Sequence, residues 1–427
     1  MKKRLGVLAR SLVMAAPMTS GLFAQVSGGG GPAGQPPQEP RRALIMDYFD
    51  ADSKRMEGAA VLGKRIFLDT SLSEPKGVSC ASCHDPRHAF ADPRALSPGA
   101  PPGTVGTRNS PSLMYAALIP PPFNEQNVDD HGKIFKAWEG GLFYDGRARN
   151  TFEQVQKPFF EANEMNLRDP AELADRLRRA GYSKELREWM GETAWQDDAA
   201  LNHFAFRALV EFLKEPMFRP FDARIDDHLA GDPSALSPAE KRGLEVFKVS
   251  GKCADCHLLQ TEAWPQALLS DYGYDNLGVP SRGPKDPGRG AITGVSEELG
   301  QFRAPSLRNV ALTAPYMHNG SIATLREVME FYNRRDKEPE RWGATDYPET
   351  VNHDDLGDLG LTDGQIDDLV ALMDAFTDRT LLRQQEKKAE FPDAAPNARP
   401  TSDLRVAFPD PFFHIKSGTP EALFRGE

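Results

Sequence analysis

Two five-residue runs, Cys80-Ala-Ser-Cys83-His84 and Cys253-Ala-Asp-Cys256-His257, hold all four cysteines of the chain. In each, a histidine directly follows the second cysteine of a C-x-x-C pair. This is the pattern of covalent c-type haem attachment: two thiols add across the porphyrin vinyls, and the adjacent imidazole turns under the ring to ligate iron. A zinc knuckle would want its C-x-x-C pairs near enough to converge on one metal, and a thioredoxin-type redox pair does not require the histidine. The two runs lie far apart and both carry the histidine, so the chain is expected to bind two haems and to form no disulfide.

At 427 residues the chain has length for two or three domains with real cores. Its net charge of −11 and pI near 5.4 argue against a nucleic-acid partner and leave no polybasic membrane patch. Met1-Lys2-Lys3-Arg4 and the largely apolar stretch to Ala24 read as a secretory leader, residues 1–24, cleaved near Ala24-Gln25. Arg10, Ser11, Pro17 and Thr19 interrupt that stretch, which leaves it short for a membrane span. Membrane attachment is expected only if the leader stays uncleaved. Haem attachment outside the bacterial cytoplasm agrees with export, and the periplasm is the expected location.

Residues 25–42 are Gly/Pro-rich and predict a disordered tether. Apolar spacing is helical from 43 to about 62 and leads into the first cysteine run. Residues 91–108 lack periodicity and predict a loop beside the first haem. Helical stretches open at Asp169 and Ser183 and continue through residues 203–213. Ser237-Pro238-Ala239-Glu240 has the form of a capping box with proline at the first helical position, and the helix it opens delivers the second cysteine run. Helix followed by C-x-x-C-H therefore occurs twice, a weak internal repeat. The expected fold is mostly α: two cytochrome c-like haem domains with long loops, at 43–231 and 232–381, with a boundary near Gly231-Asp232. Residues 361–373 predict the amphipathic helix that closes the second domain. Residues 382–427 predict an extended polar tail, part of it packed down through Phe408, Phe412 and Phe413.

Four stretches resemble the bacterial dihaem cytochrome c peroxidase and MauG family: Phe143-Tyr-Asp-Gly-Arg-Ala148, Asn163-Glu-Met-Asn166, Asn276-Leu-Gly-Val-Pro280, and the long run from Arg303 to Gly320. The resemblance covers about residues 45–380. It implies a peroxide-using oxidoreductase in which the sixth ligand of each iron distinguishes the members. The second haem's distal ligand lies fourteen residues after the histidine matched by His318, a methionine in the peroxidases and a tyrosine in the MauG branch. Here that position is Tyr332. Thr324 and Glu327 form a capping box that places Tyr332 on a helix over 325–333, and Met329 competes from the same face.

On the first haem the resemblance implies a different outcome. Peroxidases of this family usually carry a distal histidine some sixteen residues past the proximal one, but residues 95–102 here contain none. His88, only four residues past His84, belongs on the proximal side. The first iron is therefore expected to be five-coordinate. Glu164 matches the family's distal glutamate, and Gln154 and Pro158 match pocket-wall positions. Tyr144 replaces the tryptophan that commonly lies between the haems. Asn109, Thr313 and Pro315 match the donors of an interdomain calcium ion, a hard cation that takes oxygen ligands.

The expected activity is MauG-like oxidation of a partner protein or side chain with hydrogen peroxide. One alternative is a cytochrome c peroxidase drawing electrons from a small cytochrome or copper protein. The other is a dihaem electron-transfer cytochrome without catalysis.

Overall fold

The computed structural model describes residues 53–128, 134–259 and 266–388. The expected leader (1–24) and tether (25–42), the start of the expected helix (43–52) and the tail beyond 388 lie outside the described residues. Helices dominate. The first half carries α1 (Ser53–Leu68), the single turn α2 (Cys80–Cys83), α3 (Thr151–Phe160), α4 (Pro170–Arg179), α5 (Ser183–Met190), α6 (Glu192–Trp195) and α7 (Asp198–Leu213). The second carries α8 (Arg224–Leu229), α9 (Pro238–Lys248), α10 (Gly290–Thr293), α11 (Leu325–Arg334), α12 (Pro339–Trp342), α13 (Asp363–Ala375) and α14 (Arg379–Lys388). Strands β1 (Phe123–Val128) and β2 (Ile134–Glu139) pair as a hairpin, while β3 (Tyr274–Asp275) and β4 (Phe302–Arg303) pair antiparallel with Tyr274 opposite Arg303.

The caps that the sequence announces are formed. Ser237 and Glu240 close a reciprocal capping box at α9, with Ser237 N–H donating to Glu240 Oε2 at 2.7 Å. Thr324 and Glu327 do the same for α11 at 3.0 Å. Each satisfies orphan amide donors of a first turn. Helix α1 runs to Leu68, six residues past the expected end, because Ile66 and Phe67 continue its buried face.

Two helix crossings position everything else: α1 on α7, and α9 on α13. Both are closed by a glycine. A Cβ at Gly63 would stand 1.9 Å from the Ala208 carbonyl oxygen, and one at Gly243 would stand 2.1 Å from that of Asp368. Four residues after each glycine comes a fully buried phenylalanine. Phe67 packs on Phe212 at 5.3 Å between ring centroids, and Phe247 on Phe376 at 5.8 Å. The internal repeat thus extends back from the cysteines to a Gly-x-x-x-Phe element on each delivering helix.

Ala223 and Ile225 pack into the second core with Phe247, Ile366, Leu369 and Phe376. Beyond Leu382 the chain is helical through Lys388, not extended as its polarity suggested. Leu381 is buried there, and the Asp222 carboxylate accepts from the Thr380 amide and hydroxyl, which ties down the first turn of α14. Among the described residues no helix is long and apolar enough to cross a membrane.

Candidate functional site

Both cysteine runs fold as one tight turn. In α2 the His84 amide returns to the Cys80 carbonyl at 2.9 Å, and in the second run the His257 amide returns to the Cys253 carbonyl at 2.8 Å. No disulfide joins the four cysteines. All four, with both histidines, line one cavity of about 710 Å³. Burial pushes the Cys80, Cys83 and Cys253 thiols up to about 12.

The histidines are already oriented. His84 Nδ1 lies 3.1 Å from both the Phe90 and Pro111 carbonyl oxygens, and His257 Nδ1 lies 2.9 Å from that of Leu269. A carbonyl only accepts, so Nδ1 carries the proton and Nε2 keeps its lone pair for a metal. Burial lowers both pKa values against the pull of those carbonyls, which favours the neutral ligand form. Phe67, Leu209 and Leu213 wall the first side; Phe247, Leu325 and Met373 wall the second. Paired thiols, a fixed imidazole tautomer and apolar walls fit a covalently attached haem at each run.

In the same cavity as His84, α3 presents Gln154 and Pro158 one turn apart. Pro158 has no amide to give the Gln154 carbonyl, and the helix stops two residues later. The chain then turns through Glu164, which also lines the cavity. Burial raises the Glu164 pKa, the Glu161 carboxylate adds to the rise, and Arg147 opposes it. The loop over residues 95–102 lies against this turn, with the Ala100 amide donating to the Glu164 carbonyl at 2.7 Å. Ser97 and Pro98 face the cavity from that loop.

Near the Cys253 and Cys256 sulfurs, α11 brings Met329 and Tyr332 to the same cavity. Met329 is also part of the apolar core around Phe247 and Met373. Tyr332 is half-buried; burial, then the Cys253 and Cys256 sulfurs, push its phenol well above the ordinary value. Tyr144 lines the cavity as well, its phenol raised to about 12 by burial against the nearby Arg303 and Arg108. So do Asn109, Thr313 and Pro315. Asn109 is buried, and its Nδ2 donates to the Arg94 and Ala95 carbonyls at 2.9 and 3.3 Å. The structure therefore brings every residue singled out from the sequence to one cavity; His88 is not among its lining residues.

Sequence reasoning missed the charged frame. Arg108 binds Asp286 through Nε and Nη2 at 2.7 and 2.8 Å, and Asp145 through Nη1 at 2.6 Å. Arg147 shares Asp145 and stacks 3.7 Å over Phe143. His318 lies flat on Phe302, centroids 3.7 Å apart, and burial lowers it to about 4. Arg147, Arg303 and His318 sit inside the very motifs that carry the family resemblance, which was the available signal.

Residues 57–234 match the family described as di-haem cytochrome c peroxidase, and residues 301–342 match the RoxA-like, cytochrome c-like family. The chain is 33% identical over 355 residues to the methylamine utilization protein MauG of Paracoccus denitrificans, covering 76% of this chain and 89% of that one. The chain belongs to the dihaem cytochrome c peroxidase/MauG family. It is 31% identical over 293 residues to the cytochrome-c peroxidase IdrP2 of Denitromonas iodatirespirans, covering 64% of this chain and 72% of IdrP2. The crystal structure of the diheme peroxidase BthA from Burkholderia thailandensis superposes with a TM-score of 0.69 at 32% identity, covering 82% of this chain and 91% of BthA. The family makes this protein a dihaem oxidoreductase of mostly helical fold and implies two c-type haems.

Proposed function

We propose that this protein is a MauG-like, periplasmic oxidoreductase that uses hydrogen peroxide at the Cys80 haem to oxidise a partner protein or side chain. The observation that carries the reading is the contrast across the cavity. The first side presents a carboxyl of raised pKa and no histidine from the loop over residues 95–102, while the second presents the Tyr332 phenol. When bound, the haems supply an iron that takes peroxide and a second redox centre that holds an oxidising equivalent.

The protein's own groups then have defined tasks. Glu164 accepts the proton from the near peroxide oxygen and returns it to the far one as the O–O bond breaks. Gln154 donates an amide hydrogen toward the developing charge, and Pro158 shapes the wall beside it. His84 and His257 are held as proximal ligands through their Nδ1 hydrogen bonds. Tyr332 would hold the second iron through its phenol oxygen, a donor that favours the oxidised metal more than the softer Met329 thioether would. The cytochrome c domains divide near Gly231-Asp232, and Tyr144 stands between the two haem sides.

Stopped-flow mixing tests this reading. Peroxide added to the diferric protein should give a fast spectral change without prior reduction. Reaction that begins only after half-reduction would restore the ordinary peroxidase, with a small cytochrome or copper protein as donor. Two low-spin haems inert to peroxide would leave only electron transfer.

A calcium ion joins this proposal at Asn109, Thr313 and Pro315. Asn109 gives its Nδ2 to two carbonyls, so Oδ1 is the atom left to coordinate. Chelation by EGTA should alter the electronic spectra of the haems, and calcium but not magnesium should restore them.

A further inference from the structure

Arg303 is a buried cation without a carboxylate. It is 7% exposed, yet its side chain reaches only the Phe143 carbonyl at 3.4 Å and the Ala304 carbonyl at 3.2 Å, through Nε and Nη1. Nη2 has no protein partner among the described residues. The ionisable groups facing it are Tyr144, Tyr272 and Tyr274, which are neutral phenols. Two neighbouring arginines are answered: Arg108 by Asp145 and Asp286, Arg308 by Asp226 and Asp378. A buried guanidinium left uncompensated is strongly unfavourable, so a native protein retains one where a ligand supplies the anion.

Tyr272 holds the guanidinium in place. Tyr272 is 4% exposed, and its hydroxyl is a fully buried polar atom with no hydrogen-bond partner. Arg303 lies 5.4 Å over the Tyr272 ring, and both residues line the cavity. Their backbones are locked together, since Ser270 Oγ accepts from the Tyr272 amide and donates to the Ala304 carbonyl. The unanswered Nη2 of a guanidinium held over the Tyr272 ring at the cavity wall is a donor for a carboxylate, whereas the Tyr272 hydroxyl is closed off from the cavity.

We infer that Arg303 binds a propionate carboxylate of the haem attached at Cys253 and Cys256, with the Tyr272 ring positioning its guanidinium. This rests on the two-haem reading. Chain position selects that haem: Tyr272 lies three residues past Leu269, whose carbonyl orients His257, and Asp271 N–H donates to the Cys256 carbonyl at 2.7 Å. The Arg303 amide donates to the Tyr144 carbonyl at 2.7 Å, so the bound carboxylate would also fix the segment that carries Tyr144.

The test uses holoprotein from cells fed 5-aminolevulinate labelled with carbon-13 in its carboxyl, which marks the propionates. A pyridine haemochrome assay first counts haems, so failure of the two-haem reading is seen separately. In redox-difference infrared spectra the labelled carboxylate band should move in Arg303→Gln and stay in place in Tyr272→Phe, which keeps the ring under the guanidinium, each with two haems per chain. Arg303→Lys keeps the charge but loses the planar fork and should give an intermediate shift, which preserves the test if the glutamine variant fails to load haem. Followed by electron paramagnetic resonance, the midpoint of the low-spin haem should fall in Arg303→Gln as the positive charge is lost. A change confined to the high-spin haem overturns the assignment. So do labelled bands that stay put while added formate perturbs the wild type and not Arg303→Gln, since Arg303 would then be serving an anion from solution.

Discussion

At Cys80–His84 and at Cys253–His257 the chain makes the same turn, delivered by the same Gly-x-x-x-Phe helix, and holds each histidine by carbonyl contacts to Nδ1. The walls facing those turns differ. The first is built from a helix that ends two residues past Pro158 and the turn that follows, and it offers the Gln154 amide as a donor and the Glu164 carboxyl as a group that can exchange a proton. The second is an unbroken, capped helix that offers a phenol and a thioether. On the proposed reading, attachment belongs to the repeated element and reactivity to the unrepeated segments that share its cavity.

The largest effect that would break this contrast is expected at Glu164. Loss of a general acid-base group costs about 10² to 10⁴ in rate, so Glu164→Gln should slow the first reaction with peroxide by that much in stopped flow, with haem content unchanged. The pH profile gives an independent check. Proton acceptance needs the carboxylate, and the raised pKa means activity falls with decreasing pH through a value above the ordinary 4.5. Stability runs the other way. A carboxyl whose pKa is higher folded than unfolded stabilises below the unfolded value and loses that contribution as pH rises through the folded one. Glu164→Gln should therefore be no less stable than wild type at neutral pH. A variant that is both slower and clearly less stable would make Glu164 a structural residue.

On the second side, Tyr332→Phe should abolish the low-spin signal in electron paramagnetic resonance or replace it with a thioether-ligated one from Met329. Met329→Leu, a volume-conserving change in the Phe247 core, should leave the signal in place and cost less than about 1.5 kcal/mol. The reverse pattern would exchange the roles of the two residues.

The likeness of the two attachment elements can be sharpened at their glycines. Gly63→Ala and Gly243→Ala each drive a methyl into a backbone carbonyl of the facing helix. Overpacking costs about 1–3 kcal/mol, offset in part by alanine's better helix propensity of about 1 kcal/mol. Thermal unfolding should show both variants destabilised, with Gly63→Ala the worse because its contact is closer. A neutral Gly243→Ala would mean that the second crossing has room to slide.

The attachment turns, the caps at Ser237 and Thr324 and the cavity residues were legible because each is a local signal: a fixed spacing, a cap followed by its glutamate, or a motif read in register. What was not legible depends on distant partners. Gly63 is one glycine among 36 until Ala208 is seen across from it. Arg108 has no sequence neighbour that reveals Asp286, and Arg303 stands out only because its surroundings contain no carboxylate. The tail was misjudged from 382 to 388 because polarity was taken to mean an extended chain, although Leu381 and Asp222 hold the helix start.

The smallest effect is expected where the two sides meet. Tyr144 is the residue through which charge would pass between them, and its phenol stays protonated at any working pH, being raised to about 12 by burial. Oxidising a phenol releases its proton, yet the Tyr144 hydroxyl has no acceptor among the described residues, and the nearby Arg303 and Arg108 charges disfavour a cationic intermediate. Transfer between the sides should then be coupled to proton movement and show a solvent deuterium isotope effect. An indole can be oxidised before it loses a proton, so Tyr144→Trp should remove most of that isotope effect. The same two guanidinium groups would also repel an indole cation, so the gain in rate should stay below about tenfold, a barrier change of ~1.4 kcal/mol. If the isotope effect is absent in the wild type, or unchanged in Tyr144→Trp, charge crosses without Tyr144, and the two sides are coupled directly through the haems.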